Sequence, residues 1–286
     1  MNTLENQVML IQLESERLTQ YLHTLPPDAW CQPSACDLWE VRDVVGHLAW
    51  LAEVYADAIT RGVHGDASWQ ADRPPGAAPI EGAAFSAYLA QSAIAYREHL
   101  GEQLLPTFSA RYGQLHHLLA GLTAQDWDKP CAFWPSEGTV PVRRFPLQTM
   151  QELVIHGWDI RSRLATAAPL SAESLPVLMA RLPARLGLPR YAAFRLDARQ
   201  PTPVRYRFVV TGVVPSTHDL IVEHGKVRME PAGGAAPHVT FRCETGTFVL
   251  MMYRRLTLHA VMAAGQLVVE GEQGLIAAFD QWLKEA

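Results

Sequence analysis

Glu152 and His156 stand one helical turn apart in QELVIHGWDIR, residues 151 to 161, where most other positions are apolar. That spacing on a helix turns both side chains toward the same point. A carboxylate and an imidazole that converge there can share a divalent metal ion; the same pair can equally be the solvated edge of an amphipathic helix. His47, in VRDVVGHLAWL, follows Val44 by three residues and precedes Leu51 by four, so it faces the apolar interior with them. Alone, such a histidine reads as a hydrogen-bonded core residue. Together the three carry more: a buried carboxylate needs a cation or strong donors, and two imidazoles with one carboxylate around a metal ion would supply that cation. Such a set leaves a coordination position open, as catalytic zinc sites do.

The elements that must position these residues follow from periodicity. Leu4, Val8, Ile11, Leu18 and Leu22 mark one face of a first helix, ended by LPPDAW at 25 to 30. A second helix is expected to open near Asp37, with Glu40 three residues on completing a capping-box-like pair, and to run through Val41, Val44, Val45, Leu48, Leu51 and Tyr55 to Gly62. After a Pro/Gly/Ala-rich loop at about 62 to 80, an Ala/Leu-rich segment from about 82 to 122 predicts a long helix bent or interrupted at Pro106. A proline-punctuated loop, 129 to 146, leads to a last helix with Met150, Leu153, Val154, Trp158 and Ile160. Four helices with two long connections predict a bundle over residues 1–167, with a Pro/Ala-rich hinge near 165 to 170. The tandem His116-His117 is a further source of ligands, but neighbours on a helix diverge by roughly 100°, so at most one can face inward.

Residues 168–286 have a different texture. A connector helix is expected at about 171–188, and sheet and helices at about 203–286. VRYRFVVTG alternates as a half-buried strand, DLIVEHGKVRME predicts two strands about a turn at His224-Gly225, and HVTFRCE and QLVVEGE are further strands. Thr245 is placed as the N-cap of an apolar helix, and GLIAAFDQWLKEA closes the chain as an amphipathic one. The fold class is therefore α+β in two domains, a helical bundle followed by a small α+β domain.

Composition sets the bounds. The chain has 286 residues, 49% hydrophobic and 19% charged, with a net charge of −5, so there is no basic footprint for nucleic acid or an anionic membrane surface. No apolar run approaches the roughly 20 residues of a membrane span. The N-terminus lacks the pattern of a signal peptide, so a cytoplasmic protein is expected. Cys31, Cys36, Cys131 and Cys243 form no CxxC pair, and free thiols are expected. No phosphate-cradling glycine loop and no GxSxG context is present, which argues against a nucleotide cofactor and an ordinary serine hydrolase. No heptad seam points to an oligomeric partner.

The stretch PSACDLWEVRDVVGHLAWL resembles the second-helix signature of the DinB-like metalloenzymes, and more narrowly that of the mycothiol-dependent maleylpyruvate isomerases. Cys36, Trp39, Val41, Arg42, Asp43 and His47 carry the likeness. GTVPVRRFPLQTMQELVIHGWDIRSRL is similar to that family's second signature through Glu152, His156, Gly157, Trp158, Asp159 and Arg161. The C-terminal half resembles the sterol-carrier-protein-like domain of the same isomerases. The resemblance implies that His47, Glu152 and His156 are the ligands of a metal, zinc first, with other divalent ions open. Asp43, one turn before His47, is a candidate acceptor behind that ligand, with a surface carboxylate as the alternative. Trp158 is read as packing, and Asp159 and Arg161 as a pair or as helix-end residues. Arg254 or Arg255, in MMYRRL, would be the counterpart of an arginine that the family presents to the substrate, there in a Trp-Gly-Arg context from which this chain departs.

What the resemblance implies chemically is a zinc-activated low-molecular-weight thiol, mycothiol in the first instance, acting on a small carboxylated electrophile. In an isomerase the thiolate adds to a conjugated double bond, the resulting single bond rotates, and elimination gives the trans product; in relatives the thiol is transferred. A cationic side chain would hold the substrate carboxylate by paired hydrogen bonds. Two other readings stay open from sequence: a zinc-dependent hydrolase on the same bundle, and a non-enzymatic protein that binds a small ligand.

Overall fold

The structure is a computed structural model and describes residues 3–36, 38–68, 82–133, 138–165, 168–187, 194 and 203–285. The chain divides into two compact units, Met1–Ala168 and Pro169–Ala286. The first is helical and the second α+β.

Helix α1, Leu4–His23, starts behind Thr3, whose hydroxyl accepts from the Asn6 N–H at 3.2 Å. It buries Val8, Ile11, Leu18 and Leu22, the face marked by their spacing. Helix α2, Val41–Val63, carries His47. Asp37 lies outside the described residues. The helix opens at Glu40, and Asp43 closes the capping box by accepting from the Glu40 N–H at 3.0 Å. Glu40 therefore caps the helix where the sequence reading had it complete a cap set by Asp37.

The long Ala/Leu-rich segment is two helices, α3 at Gly82–Leu100 and α4 at Leu104–Ala120. The break falls at Gly101, which adopts φ +51°, and not at Pro106. Pro106 is the third residue of α4, where a backbone N–H has no intrahelical partner to lose. Pro146 holds the same position in α5, Arg144–Leu164, which therefore begins within the expected loop. The loop before it also contains a short hairpin, β1 at Pro130–Ala132 and β2 at Thr139–Pro141. Helices α1, α2, α4 and α5 pack as the bundle, and α3 lies against α2. The α2–α3 crossing is close because position 46 is glycine: a Cβ there would lie 2.9 Å from the Arg97 Cβ.

In the second unit α6, Leu175–Leu186, precedes a five-stranded sheet. Its strands are β3 at Val204–Thr211, β4 at Ser216–Glu223, β5 at Lys226–Pro231, β6 at Val239–Glu244 and β7 at Leu267–Gly271, in the spatial order β5-β4-β3-β6-β7. Only the β3–β6 pair is parallel. Alternate residues Val204, Tyr206, Phe208 and Val210 of β3 point into the core. There Phe279 and Trp282 of the last helix, α9 at Gln273–Glu285, pack with Tyr206, Phe241 and Phe194. The β4–β5 turn at His224-Gly225 has φ of +51° and +74°, the two positive values of a tight two-residue hairpin.

Helix α7, Thr245–Met252, has Glu244 and not Thr245 at its N-cap position, with no side-chain capping hydrogen bond. The Thr245 hydroxyl instead donates to the Thr211 carbonyl at 2.8 Å and accepts from the Val214 N–H at 3.0 Å, pinning the β3–β4 turn. A short α8, Leu258–Ala263, leads into β7. All four cysteines are free thiols, and burial pushes those of Cys131 and Cys243 up to about 11 and about 12. Among the described residues no helix is long and apolar enough to cross a membrane.

Candidate metal centre

Three side chains from two helices meet inside the bundle. Val44, Val45, Leu48 and Leu51 anchor α2 in the core and carry His47 inward, leaving it 4% exposed. On α5, Leu153, Val154 and Ile160 do the same for the face that bears Glu152 and His156. Glu152 Oε2 lies 3.2 Å from His156 Nε2 and 3.6 Å from His47 Nε2, and one ligand atom from each residue falls within 4.8 Å of the others. About a tetrahedral zinc with bonds of roughly 2.0–2.2 Å, nitrogen and oxygen ligands stand roughly 3.4 Å apart. The observed separations bracket that value. Two imidazole nitrogens and a carboxylate oxygen are also the donor types that zinc takes. The residues fit the ion.

Electrostatics points the same way. Burial alone would raise the Glu152 carboxyl, but hydrogen bonds from His156 and His47 hold it well below the usual range. Burial likewise works against a charged His156, and the Cys36, Asp159 and Glu152 side chains beside it more than offset this and raise its pKa well above the ordinary value. His47 goes the other way, lowered first by burial. The trio thus demands positive charge beside Glu152, and a divalent ion answers that demand as a proton on His156 does. Gln148 Nε2 donates to Glu152 Oε1 at 2.7 Å and fixes the carboxylate.

The surroundings hold residues that spacing did not single out. Asp159 is fully buried, and its Oδ2 lies 2.9 Å from His156 Nδ1. Cys36 Sγ donates to the same oxygen at 3.0 Å. The sequence reading paired Asp159 with Arg161 or put it at the helix end; the three-residue step from His156, which keeps both on one face, was the available signal. Trp39 lays its ring against both imidazoles, with centroids 4.7 Å from His47 and 5.7 Å from His156, and its buried indole Nε1 has no hydrogen-bond acceptor among the described residues. Tyr112 of α4 is buried nearby, its phenol raised by burial and then by the Glu152 charge.

Asp43 does not stand behind His47. It is buried, so it is no surface carboxylate either, and it accepts from Arg97 Nε at 2.9 Å and from the Glu40 N–H. Among the described residues His47 Nδ1 has no hydrogen-bond partner. Neither His116 nor His117 joins the cluster; His117 is exposed, and His116 lines a groove between α1 and α4. Trp158 is buried, as packing requires. In the C-terminal unit Arg254 adopts φ +60° just after α7 with its guanidinium 5.0 Å from the Trp282 ring centre, and Arg255 Nη1 donates to the Tyr253 carbonyl at 3.3 Å.

Residues 11–161 match the family model described as the mycothiol maleylpyruvate isomerase N-terminal domain. The chain belongs to that family. Residues 195–284 match the SCP-2 sterol transfer family. The crystal structure of the mycothiol-dependent maleylpyruvate isomerase superposes with a TM-score of 0.62 at 14% identity, covering 94% of each chain. Uncharacterized proteins from two strains of Mycobacterium tuberculosis are 25% identical over 262 residues, 90% of this chain and 88% of theirs. The helical unit thus carries the family's N-terminal domain, and the C-terminal α+β unit has the sterol-carrier likeness expected of it.

Proposed function

We propose that this protein is a zinc-dependent enzyme that uses a low-molecular-weight thiol, mycothiol or a functional relative, on a small carboxylated electrophile. The reaction is cis–trans isomerisation of a maleylpyruvate-like substrate or transfer of the thiol to an electrophile. The observation that carries this reading is the convergence of His47, Glu152 and His156 on one buried point of a bundle whose family is named for such an isomerase. These three residues would hold the metal. When bound, zinc lowers the pKa of a coordinated thiol, and the thiol supplies the nucleophile for addition to a conjugated double bond or for transfer.

The protein's own residues do the positioning. Glu152 contributes the negative charge that favours a cation there, and Gln148 keeps that carboxylate from turning. The Trp39 ring covers the two imidazoles and limits access of water to them. Arg254 belongs to the proposal as the cation for the substrate carboxylate, carried over from the family resemblance. A cytoplasmic setting, where such thiols are kept reduced, is part of the same reading.

The deciding experiment is elemental analysis of metal per chain on protein purified without chelator, for the wild type and His156→Ala. Near-stoichiometric zinc in the wild type, absent from a variant with unchanged circular dichroism, is the expected result. It would be followed by turnover assays of thiol and maleylpyruvate-like electrophiles. A wild type that takes up no zinc even when zinc is offered would overturn the proposal. Turnover that persists without any thiol would replace it with the hydrolase reading.

A further inference from the structure

The two candidate ligand histidines are held differently. Among the described residues His47 Nδ1 makes no hydrogen bond, whereas His156 Nδ1 lies 2.9 Å from Asp159 Oδ2. An ionised carboxylate only accepts, so this contact places a proton on Nδ1 and makes Nε2, which faces Glu152, the atom that would bind the metal. Asp159 is itself anchored. Cys36 Sγ donates to the same Oδ2 at 3.0 Å, and the Ala35 N–H donates to the Asp159 main-chain carbonyl at 2.9 Å. The segment that brings Cys36 there is folded around the buried Ser34. Its hydroxyl accepts from the Cys36 N–H at 3.0 Å and donates to the Trp39 carbonyl at 2.8 Å.

Cys36, Asp159 and His156 also bring three possible metal ligands together, so the cluster is either a second ion site or a support for the first. Two of its three distances favour the support; the third, Cys36 Sγ to His156 Nδ1, is 3.6 Å. Around zinc, with bonds of roughly 2.3 Å to sulfur and 2.0–2.2 Å to nitrogen and oxygen, an S–O pair stands roughly 3.6 Å apart and an N–O pair roughly 3.4 Å. Cys36–Asp159 and His156–Asp159 are 3.0 and 2.9 Å, which are hydrogen-bond lengths. The Glu152-centred trio, at 3.2 and 3.6 Å, has ligand spacing instead.

We infer that Asp159 and Cys36 are a positioning pair: Asp159 fixes the tautomer and ring direction of His156, Cys36 fixes Asp159, and together they set how tightly the His47–Glu152–His156 site holds its metal. This rests on the metal reading given above. It makes the loop carrying Cys36 and Trp39 part of the metal site's affinity, although neither residue is among its ligands.

The test is zinc affinity by competition with a chromogenic chelator, with circular dichroism as the check on folding. It compares wild type, Asp159→Ala, Asp159→Asn, Cys36→Ala, Cys36→Ser and the Cys36→Ala/Asp159→Ala double variant. Loss of a group behind a metal-bound histidine typically weakens affinity about 10- to 100-fold, and that is the loss expected for Asp159→Ala. Asp159→Asn, which keeps an acceptor, should lose less. Cys36→Ala should weaken binding by a smaller factor and Cys36→Ser, which keeps a donor, should restore it. Adding Cys36→Ala to Asp159→Ala should change nothing further, because the thiol acts through the carboxylate; a purely structural role would give additive losses.

Zinc held as tightly by Asp159→Ala as by wild type, or additive losses in the double variant, overturns the pair while leaving the metal site standing. Two zinc ions per wild-type chain falling to one in Cys36→Ala overturns it in favour of a second ion. A wild type that binds no zinc removes both readings. If Asp159→Ala does not fold, Asp159→Asn and the two Cys36 variants decide the matter.

Discussion

Asp43→Ala separates two roles that one carboxylate near a ligand histidine can have. In the structure Asp43 is 3% exposed, accepts from Arg97 at 2.9 Å, and accepts from the Glu40 N–H at the start of α2. Deleting one partner of a buried ion pair costs about 3–5 kcal/mol because the other charge is left behind. The Arg97 side chain is 16% exposed, so water recovers part of its charge and the lower end of that range applies. Loss of the helix cap adds about 1 kcal/mol. The expected destabilisation is therefore about 4 kcal/mol for Asp43→Ala. Asp43→Asn, whose amide oxygen can still accept from the Glu40 N–H, should regain about 1 kcal/mol of it. Urea unfolding followed by far-ultraviolet circular dichroism reads this, since helix dominates the first unit. Zinc affinity of the folded protein should be unchanged, because neither partner of Asp43 is a member of the metal trio. Stability within about 0.5 kcal/mol of wild type would refute the ion-pair argument. A tenfold fall in zinc affinity with stability intact would show that Asp43 serves His47 after all.

Two further perturbations test the packing and the charges. Gly62→Ala would place a Cβ 2.2 Å from Cys131 Sγ and 2.7 Å from the Pro130 carbonyl, so α2 must move off β1; a loss of about 1–3 kcal/mol is expected despite the better helix propensity, and a gain in the urea midpoint would contradict it. In the C-terminal unit burial favours a neutral Asp219. Hydrogen bonds from Arg207 and Arg205, with the Gly233 N–H, outweigh that and hold its carboxyl below the ordinary 3.8. A folded-state pKa depressed in this way contributes stability that is present above the unfolded value and is lost as pH falls through the folded one. Wild type should therefore lose stability more steeply below about pH 4 than Asp219→Asn does, and parallel acid limbs would be evidence against the assignment.

How much of this was readable from residues alone depended on distance along the chain. The step from Glu152 to His156 is one helical turn, so spacing alone turns both the same way. His47 was legible because Val44 and Leu51 share its face. The helix break was not legible from Pro106, because a proline in a first turn disrupts nothing; Gly101, with its positive φ, made the break instead. Thr245 shows how a good capping residue is diverted when a better partner is near. Its hydroxyl bonds Thr211 and Val214, more than 30 residues away in sequence, and a local pattern cannot anticipate that.

Asp43 and Asp159 make the same point about the site itself. Both are acidic residues within one turn of a candidate ligand histidine, and sequence spacing ranks Asp43 four residues before His47 above Asp159 three residues after His156. A helix directs its side chains back toward its own N-terminus, so a residue one turn earlier is not automatically behind a ligand; what decides is which neighbouring helix supplies a counter-charge. Asp43 meets Arg97 from α3, 54 positions away, and is taken up by it. The Asp159 carboxylate meets the Cys36 thiol, a neutral donor, and the His156 ring, so it is the ligand histidine that it serves. The competing partner, and not the spacing, assigns each carboxylate its work, and that partner is visible only once the helices are packed.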